Sequence, residues 1–162
     1  MPTPAVVLDT NVLVAAGFNS RSASARIVDA VKRGRLRMMW NDDTRREIER
    51  ILRQIPPLRS LDAARLFHPA DRYALATHPE RFAIVPDPED RKFAALAHAA
   101  GAILVSNDEH LLSHRDRLDV RVLTPAAFVE HVLLPAEPPD ERDAPPARPP
   151  RRPGNPDAGA PP

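Results

Sequence analysis

Asp9, Asp90 and Asp108 each follow a short apolar run of the kind that forms a buried strand. The three runs lie at residues 5–8, 82–85 and 102–105. Parallel strands bring their carboxyl ends to one edge of a sheet, and ligands bind beyond that edge. The sequence therefore predicts that the three carboxylates converge at a single site.

Converging carboxylates repel one another unless a cation or a proton compensates their charge. Oxygen ligands without histidine or cysteine beside them suit Mg²⁺ or Mn²⁺, and such an ion activates water and polarises phosphoryl oxygens. The sequence contains no cysteine, which excludes thiolate metal sites, cysteine nucleophiles and disulfides. It also lacks a phosphate-binding glycine loop. The pattern favours metal-assisted hydrolysis of a phosphate ester.

Each of these acids also has a purely structural interpretation. Asp9 and Asp108 precede segments that could be helical, and Asp87 with Pro88 is typical of a helix start. Asp90 then occupies the capping-box position. Taken singly, a capping role is favoured for each acid. Taken together, their convergence favours a metal site.

The elements that must position the acids alternate between strand and helix. Predicted strands lie at residues 5–8, 37–40, 82–85, 102–105 and 120–123. Predicted helices lie at residues 24–33, 43–54, 62–77, 109–113 and 126–134, with a further helix around Phe93. Such alternation predicts an α/β fold with a central, mainly parallel sheet of about five strands.

Composition divides the chain into two parts. Residues 1–134 carry the apolar patterns and form the predicted folded domain. Residues 135–162 hold more than half of the 20 prolines, and we predict a disordered tail there.

The formal net charge of +1 does not by itself indicate a nucleic-acid binder. No apolar run is long enough for a membrane span and the start lacks a secretory pattern, so we expect a cytoplasmic protein without a membrane partner.

Four segments together resemble the PIN domain family over about residues 4–134. They read, in order, VVLDTNVLVAA, EIERIL, DPEDRKFAALAHAAGA and ILVSNDEHLL. The resemblance implies a three-layer α/β/α sandwich and an Mg²⁺- or Mn²⁺-dependent endonuclease whose substrate is RNA. The segments most resemble the branch that contains toxins of type II toxin–antitoxin pairs. A cognate antitoxin protein and a homodimer are the partners this branch implies.

The resemblance also assigns roles to individual residues. The acids that match the family's catalytic metal ligands are Asp9, Glu47, Asp90 and Asp108. The positions that match residues orienting the ligands or adding charge are Asn11, Asp87 and Ser106. Glu47 is identified by the resemblance alone; its structural alternative is a surface acid paired with Arg46 or Arg50, and Glu49 is a competing acid nearby.

Two other functions remain open from the sequence. One is a non-catalytic PIN module that binds RNA or a protein partner. The other is a small phosphatase with Asp9 as nucleophile, although Asn11 stands where that chemistry needs a second acid and Lys92 is the available lysine. The arginines that could hold a substrate backbone at the rim are Arg21, Arg45 and Arg91.

Overall fold

A four-stranded parallel sheet forms the centre of the computed structural model, which describes residues 2–58 and 63–137. The strands are β1 (Ala5–Leu8), β2 (Arg37–Met38), β3 (Ile103–Val105) and β4 (Val122–Leu123), in the order β2-β1-β3-β4. Leu8 of β1 pairs with Val105 of β3. β1 and β3 are neighbours at the centre of the sheet, with β2 on the outer side of β1 and β4 on the outer side of β3. The order of the strands therefore reverses between β1 and β3, and this is the topological switch point of the sheet.

Helices connect the strands and cover the sheet. They are α1 (Thr10–Phe18), α2 (Ala23–Lys32), α3 (Asp42–Gln54), α4 (Pro88–Ala100), α5 (Glu109–Ser113), α6 (Pro125–Phe128) and α7 (Leu134–Ala136), with a π-helical stretch, Val129–Leu133, between the last two. Short 3₁₀ turns lie at Pro56–Leu58, Ala63–Arg65, Pro69–Asp71, Pro79–Phe82 and Arg115–Arg117. The predicted α/β class with a parallel sheet is confirmed.

Helix α4 is the central helix of the fold, and its ends are set by its sequence. The Asp87 side chain accepts a hydrogen bond from Glu89 N at 2.9 Å, and Pro88 occupies the first helical position. Gly101, with φ of 62°, ends the helix in the left-handed conformation that glycine adopts without strain. β3 begins at Ile103, two residues after Gly101. This short connection limits how far α4 can move relative to β3.

The core is built mainly from aliphatic and small side chains, since aromatic residues make up only 4% of the sequence, and Trp40 and four phenylalanines are buried among them. The buried face of α4 contains Phe93, Ala94, Leu96 and Ala97, each no more than 1% exposed, and α4 packs against β1 and β3. Alanines on this face allow the helix to approach the sheet closely. The first turn of α4 is thereby held next to the carboxyl ends of β1 and β3.

The strand predicted at residues 82–85 is wrong, and the described sheet has four strands rather than five. Phe82 ends the 3₁₀ turn Pro79–Phe82, and Val85 N donates to Phe82 O at 3.0 Å. Arg91 occupies carbonyls that a strand would use for pairing, with 2.8 Å to Val85 O and 3.3 Å to Ala83 O. The apolar run is buried through Phe82 and Val85, three residues apart, instead of through strand alternation.

The helix predicted at residues 62–77 is also wrong where the structure describes it. Two 3₁₀ turns, Ala63–Arg65 and Pro69–Asp71, take its place, and Tyr73 N then donates to Trp40 O at 2.7 Å. Pro69 cannot donate the hydrogen bond that a continuous helix needs. Residues 59–62 lie outside the described residues. Of the disordered tail predicted at residues 135–162, Pro135 and Ala136 belong to α7, and residues 138–162 lie outside the described residues, so disorder there stays a prediction.

Candidate metal centre

Asp9 and Ser106 leave the carboxyl ends of β1 and β3 side by side. Asp9 N donates to Val105 O at 3.1 Å, which continues the pairing of β1 with β3 by one residue. Ser106 Oγ donates to Asp9 Oδ2 at 2.7 Å, and both residues are buried, at 0% and 2% exposure. The position of Asp9 therefore follows from the sheet backbone and from one buried hydroxyl.

Asp108 is attached to the same hydroxyl. Asp108 N donates to Ser106 Oγ at 2.9 Å, so Ser106 joins the two acids. Asp108 Oδ1 accepts from His110 N at 2.8 Å and caps α5. The capping interpretation of Asp108 thus holds for one of its oxygens, and it does not exclude a role in a metal site for the other.

Asp90 is brought to the site by the first turn of α4. The residue is 8% exposed, and its Oδ2 is buried without a hydrogen-bond partner. Among the described residues, Thr10 Oγ1, beside Asp9, is a second buried side-chain atom of this kind, whereas Glu47 Oε2 contacts Lys92 Nζ. Buried polar atoms are nearly always satisfied in folded proteins, so an orphaned carboxylate oxygen is a feature that a bound cation would explain.

Oxygens of Asp9, Asp90 and Asp108 lie within 4.8 Å of one another. In the part of the chain that the structure describes, this is the only group of three acids or histidines with such spacing. Burial raises the pKa of Asp90 to about 7, and the charges of Asp9 and Asp108 add to the effect. Burial also raises the pKa of Asp9, against the hydrogen bond from Ser106.

This donor set fits a divalent metal ion on three counts. Its ligands are hard oxygens, as Mg²⁺ and Mn²⁺ prefer. One of the oxygens has no partner in the protein. Burial and the repulsion from Asp9 and Asp108 both raise the pKa of Asp90, and a positive charge between the carboxylates would relieve the repulsion.

Glu47 lies outside this group of acids. Lys92 Nζ is 2.5 Å from Glu47 Oε2 and 2.7 Å from Glu89 Oε2. Lys92 therefore joins a carboxylate of α3 to a carboxylate of its own helix. Burial raises the pKa of Glu47, and Lys92 opposes that shift. The competing acid Glu49 is half-buried and pairs with Arg45 at 2.9 Å.

The remaining predicted positions contribute less directly. The Asn11 side chain is exposed, and its backbone N–H is one of the groups that lower the pKa of Asp9. The Asp87 side chain is the N-cap of α4, and its charge adds to the raised pKa of Asp90. Their predicted roles in orienting ligands stay predictions.

Several other polar residues are occupied elsewhere. Arg91 binds the carbonyls of Ala83 and Val85, and the Arg45 guanidinium lies 5.2 Å from the centre of the Trp40 ring. Lys92, which a phosphatase would need beside Asp9, contacts Glu47 and Glu89 instead. The contact between Glu47 and Lys92 was missed by sequence reasoning, because 45 positions separate the two residues and no local pattern connects them.

The sequence model of the family described as PIN domain matches residues 5–110. No curated protein and no solved structure matches at a significant level. The family match spans Asp9, Ser106 and Asp108, and with them all of β1, β2 and β3. Within residues 2–58 and 63–137, none of the helices combines the length and apolarity needed to cross a bilayer.

Proposed function

The chain belongs to the PIN domain family, and we propose that it is a divalent-metal-dependent endonuclease that hydrolyses phosphodiester bonds in RNA. PIN domains are generally metal-dependent nucleases. The observation that carries the proposal is the triad Asp9, Asp90 and Asp108, whose oxygens lie within 4.8 Å of one another and include one buried atom without a partner.

The three aspartates would hold the ion, with Mg²⁺ or Mn²⁺ the best match to their chemistry. When bound, the ion supplies Lewis acidity toward the phosphoryl group and lowers the pKa of water. Ser106 holds Asp9 and Asp108 in place before substrate arrives, because its hydroxyl contacts both. Hydrolysis of a phosphodiester relies mainly on such positioning and on charge compensation.

The choice of RNA, and of a toxin role, rests on the resemblance of the four segments to the toxin branch of the family. We propose that the chain is the toxin of a toxin–antitoxin pair and that a cognate antitoxin protein restrains it. Expression in a bacterial host should arrest growth, and the Asp9→Asn variant should not. Co-expression of the neighbouring open reading frame should relieve the arrest; if the arrest occurs without relief, the nuclease proposal stands and the antitoxin proposal falls.

Cleavage of labelled RNA by the purified chain tests the nuclease proposal. We expect cleavage with Mg²⁺ or Mn²⁺, none with EDTA, and a loss of at least 100-fold in Asp9→Asn and Asp108→Asn. Asp116→Asn is the matched control, because Asp116 is an exposed aspartate outside the triad. Circular dichroism and thermal unfolding establish that each variant is folded.

Two results would overturn the proposal. One is the absence of cleavage of any RNA by folded, antitoxin-free protein with metal present. The other is equal cleavage by the wild type and by Asp9→Asn. RNA or protein binding that survives both aspartate substitutions, without any metal binding, would instead establish the non-catalytic PIN module.

A further inference from the structure

A basic cleft lies at the edge of the sheet opposite to the aspartate triad. It is lined by Thr3 and by side chains within residues 31–37 and 65–71. Arg37, on its wall, pairs with Ala5 at the amino end of β1. Asp9 follows the other end of this four-residue strand, about 13 Å away along the strand direction. The cleft is therefore not part of the metal centre.

Positive charge dominates the rim of this cleft. Among the described side chains that line it, one, Asp71, is acidic, and four are cationic, namely Lys32, Arg33, Arg37 and Arg65. Arg33 pairs with Asp29 at 2.8 Å and Arg37 pairs with Asp71 at 2.9 Å. Within the described part of the chain, no acid lies within ion-pair distance of Lys32 or Arg65. The cleft therefore carries more positive charge than its own acids compensate.

The last described residue, Glu137, lies at the margin of the same cleft. The π-helical stretch Val129–Leu133 packs against α2, and Glu137 N donates to Leu133 O at 3.1 Å. Glu137 Oε1 is 3.7 Å from the guanidinium of Arg35, which belongs to the connection between α2 and β2. The backbone of Glu137 is extended, with φ of −73° and ψ of 135°, as is usual before a proline. The chain thus leaves α7 beside the cations of the cleft.

The segment that follows Glu137 carries the opposite charge. It reads PPDERD at residues 138–143, with three acids and one arginine. A proline-rich segment spans about 3.1 Å per residue when extended, so Asp140 can lie about 9 Å from Glu137. Arg33 and Arg37 are each two residues from Arg35, which is at most about 7 Å along the backbone. The acids can therefore reach the cleft without any rearrangement of the described residues.

We infer that residues 138–143 dock in this basic cleft, with their acids on its cations and their prolines on its apolar floor. The floor is formed by Val31, Leu36 and Leu66. A single exposed ion pair is weak, but a segment tethered at Glu137 has an effective concentration in the millimolar range. The attraction depends on charge and does not require a regular fold, so it is compatible with the disorder predicted from composition. A polyanion from outside the chain must displace the segment to bind there.

A spin label placed directly after the segment tests this in the full chain. The sequence contains no cysteine, so Ala144→Cys provides a single attachment point for a nitroxide. The matched control carries the same label together with Asp140→Asn, Glu141→Gln and Asp143→Asn, which keep the length of the tether and remove its negative charge. We expect the paramagnetic relaxation of backbone amides at residues 32–37 and 65–71 to be about threefold larger with the acidic segment than with the neutral one.

Two further conditions separate docking from mere proximity. At 1 M salt, where the Debye length is about 3 Å, the difference between the acidic and the neutral segment should disappear. Arg65→Glu should lower the relaxation to the level of the neutral segment, whereas Arg117→Glu, which changes an exposed arginine outside the cleft, should not. Thermal unfolding establishes that both variants are folded.

Equal relaxation with the acidic and the neutral segment would overturn the inference, as would a difference that 1 M salt leaves unchanged. If single-stranded RNA added with EDTA shifts the amides of the cleft, while the label has no charge-dependent effect on them, the cleft binds RNA and the segment is not its occupant. None of these outcomes alters the nuclease proposal, because the cleft and the triad lie at opposite edges of the sheet.

Discussion

Replacing Asp90 by asparagine should stabilise the metal-free protein at alkaline pH. Asp90 is 8% exposed, and its folded-state pKa rises from an ordinary 3.8 to about 7. Since the folded state binds the proton more tightly than the unfolded state, this group stabilises the fold below its ordinary pKa. That stabilisation is lost as pH rises toward 7. The asparagine variant has no such proton to lose.

The size of the effect follows from the same pKa. A rise of about three pKa units, at about 1.4 kcal/mol for each unit, gives an upper limit of roughly 4 kcal/mol. Solvent screening at the open edge of the sheet reduces this to about 2 kcal/mol. The free energy of unfolding of Asp90→Asn without metal should therefore exceed that of the wild type by about 2 kcal/mol at pH 8. At pH 4 the two should differ by less than about 1 kcal/mol, because there the wild-type carboxyl is largely protonated in the folded state.

Urea unfolding at pH 4, 6 and 8 measures this difference, with the fluorescence of Trp40, the only tryptophan, as the probe. Mn²⁺ at about 100 times its Kd should add about 2.7 kcal/mol to the wild type at pH 8 and little to the variant. The same substitution at an exposed position, Asp116→Asn, controls for general charge effects. A wild type that is as stable as Asp90→Asn at pH 8 without metal would refute the electrostatic reasoning.

Three further substitutions test the supports of the site. Ser106→Ala removes the hydroxyl that joins Asp9 to Asp108 and should raise the Kd for Mn²⁺ about tenfold in a titration. An unchanged Kd would mean that the backbone alone positions Asp9 and Asp108. Arg91→Met removes the donor to the carbonyls of Ala83 and Val85 and should lower the free energy of unfolding in urea by about 1–3 kcal/mol. Unchanged amide hydrogen exchange at residues 83–85 would contradict the assigned contact. Arg45→Met removes the guanidinium next to the Trp40 ring. It should lower the free energy of unfolding by about 1 kcal/mol and shift the fluorescence emission of Trp40. An unchanged emission spectrum would exclude the contact between the guanidinium and the ring.

The sequence predicted the part of the site that depends on the sheet. Asp9 and Asp108 follow β1 and β3, and the apolar runs that form those strands are short and unambiguous. Their neighbouring positions then follow from the rule that ligands bind beyond the carboxyl ends of parallel strands. The structure places both acids there, joined by Ser106.

The sequence predicted that Asp90 lies in the first turn of a helix that Asp87 caps, but it could not predict how that turn and Glu47 are placed against the sheet. An apolar run such as residues 82–85 is compatible with a strand or with a buried turn, and the contacts made by Arg91 decide between them. Asp90 thus reaches the site on a helix packed against the sheet and not from a strand end. The environment of Glu47 depends on the packing of α3 beside α4, which long-range contacts determine and local periodicity does not.

The direct pairing of β1 with β3 determines which changes of sequence the site can accept during evolution. Neighbouring strands are about 4.8 Å apart, so the spacing of Asp9 and Ser106 is a property of the peptide ladder. Residues 74–79 belong to none of the four strands, so a change of chain length there leaves that spacing unchanged. A shift of β3 by a single residue would turn Ser106 to the opposite face of the sheet and separate Asp9 from Asp108. The register of the two central strands is therefore the feature of the fold that a change of sequence must preserve if Asp9 and Asp108 are to stay together.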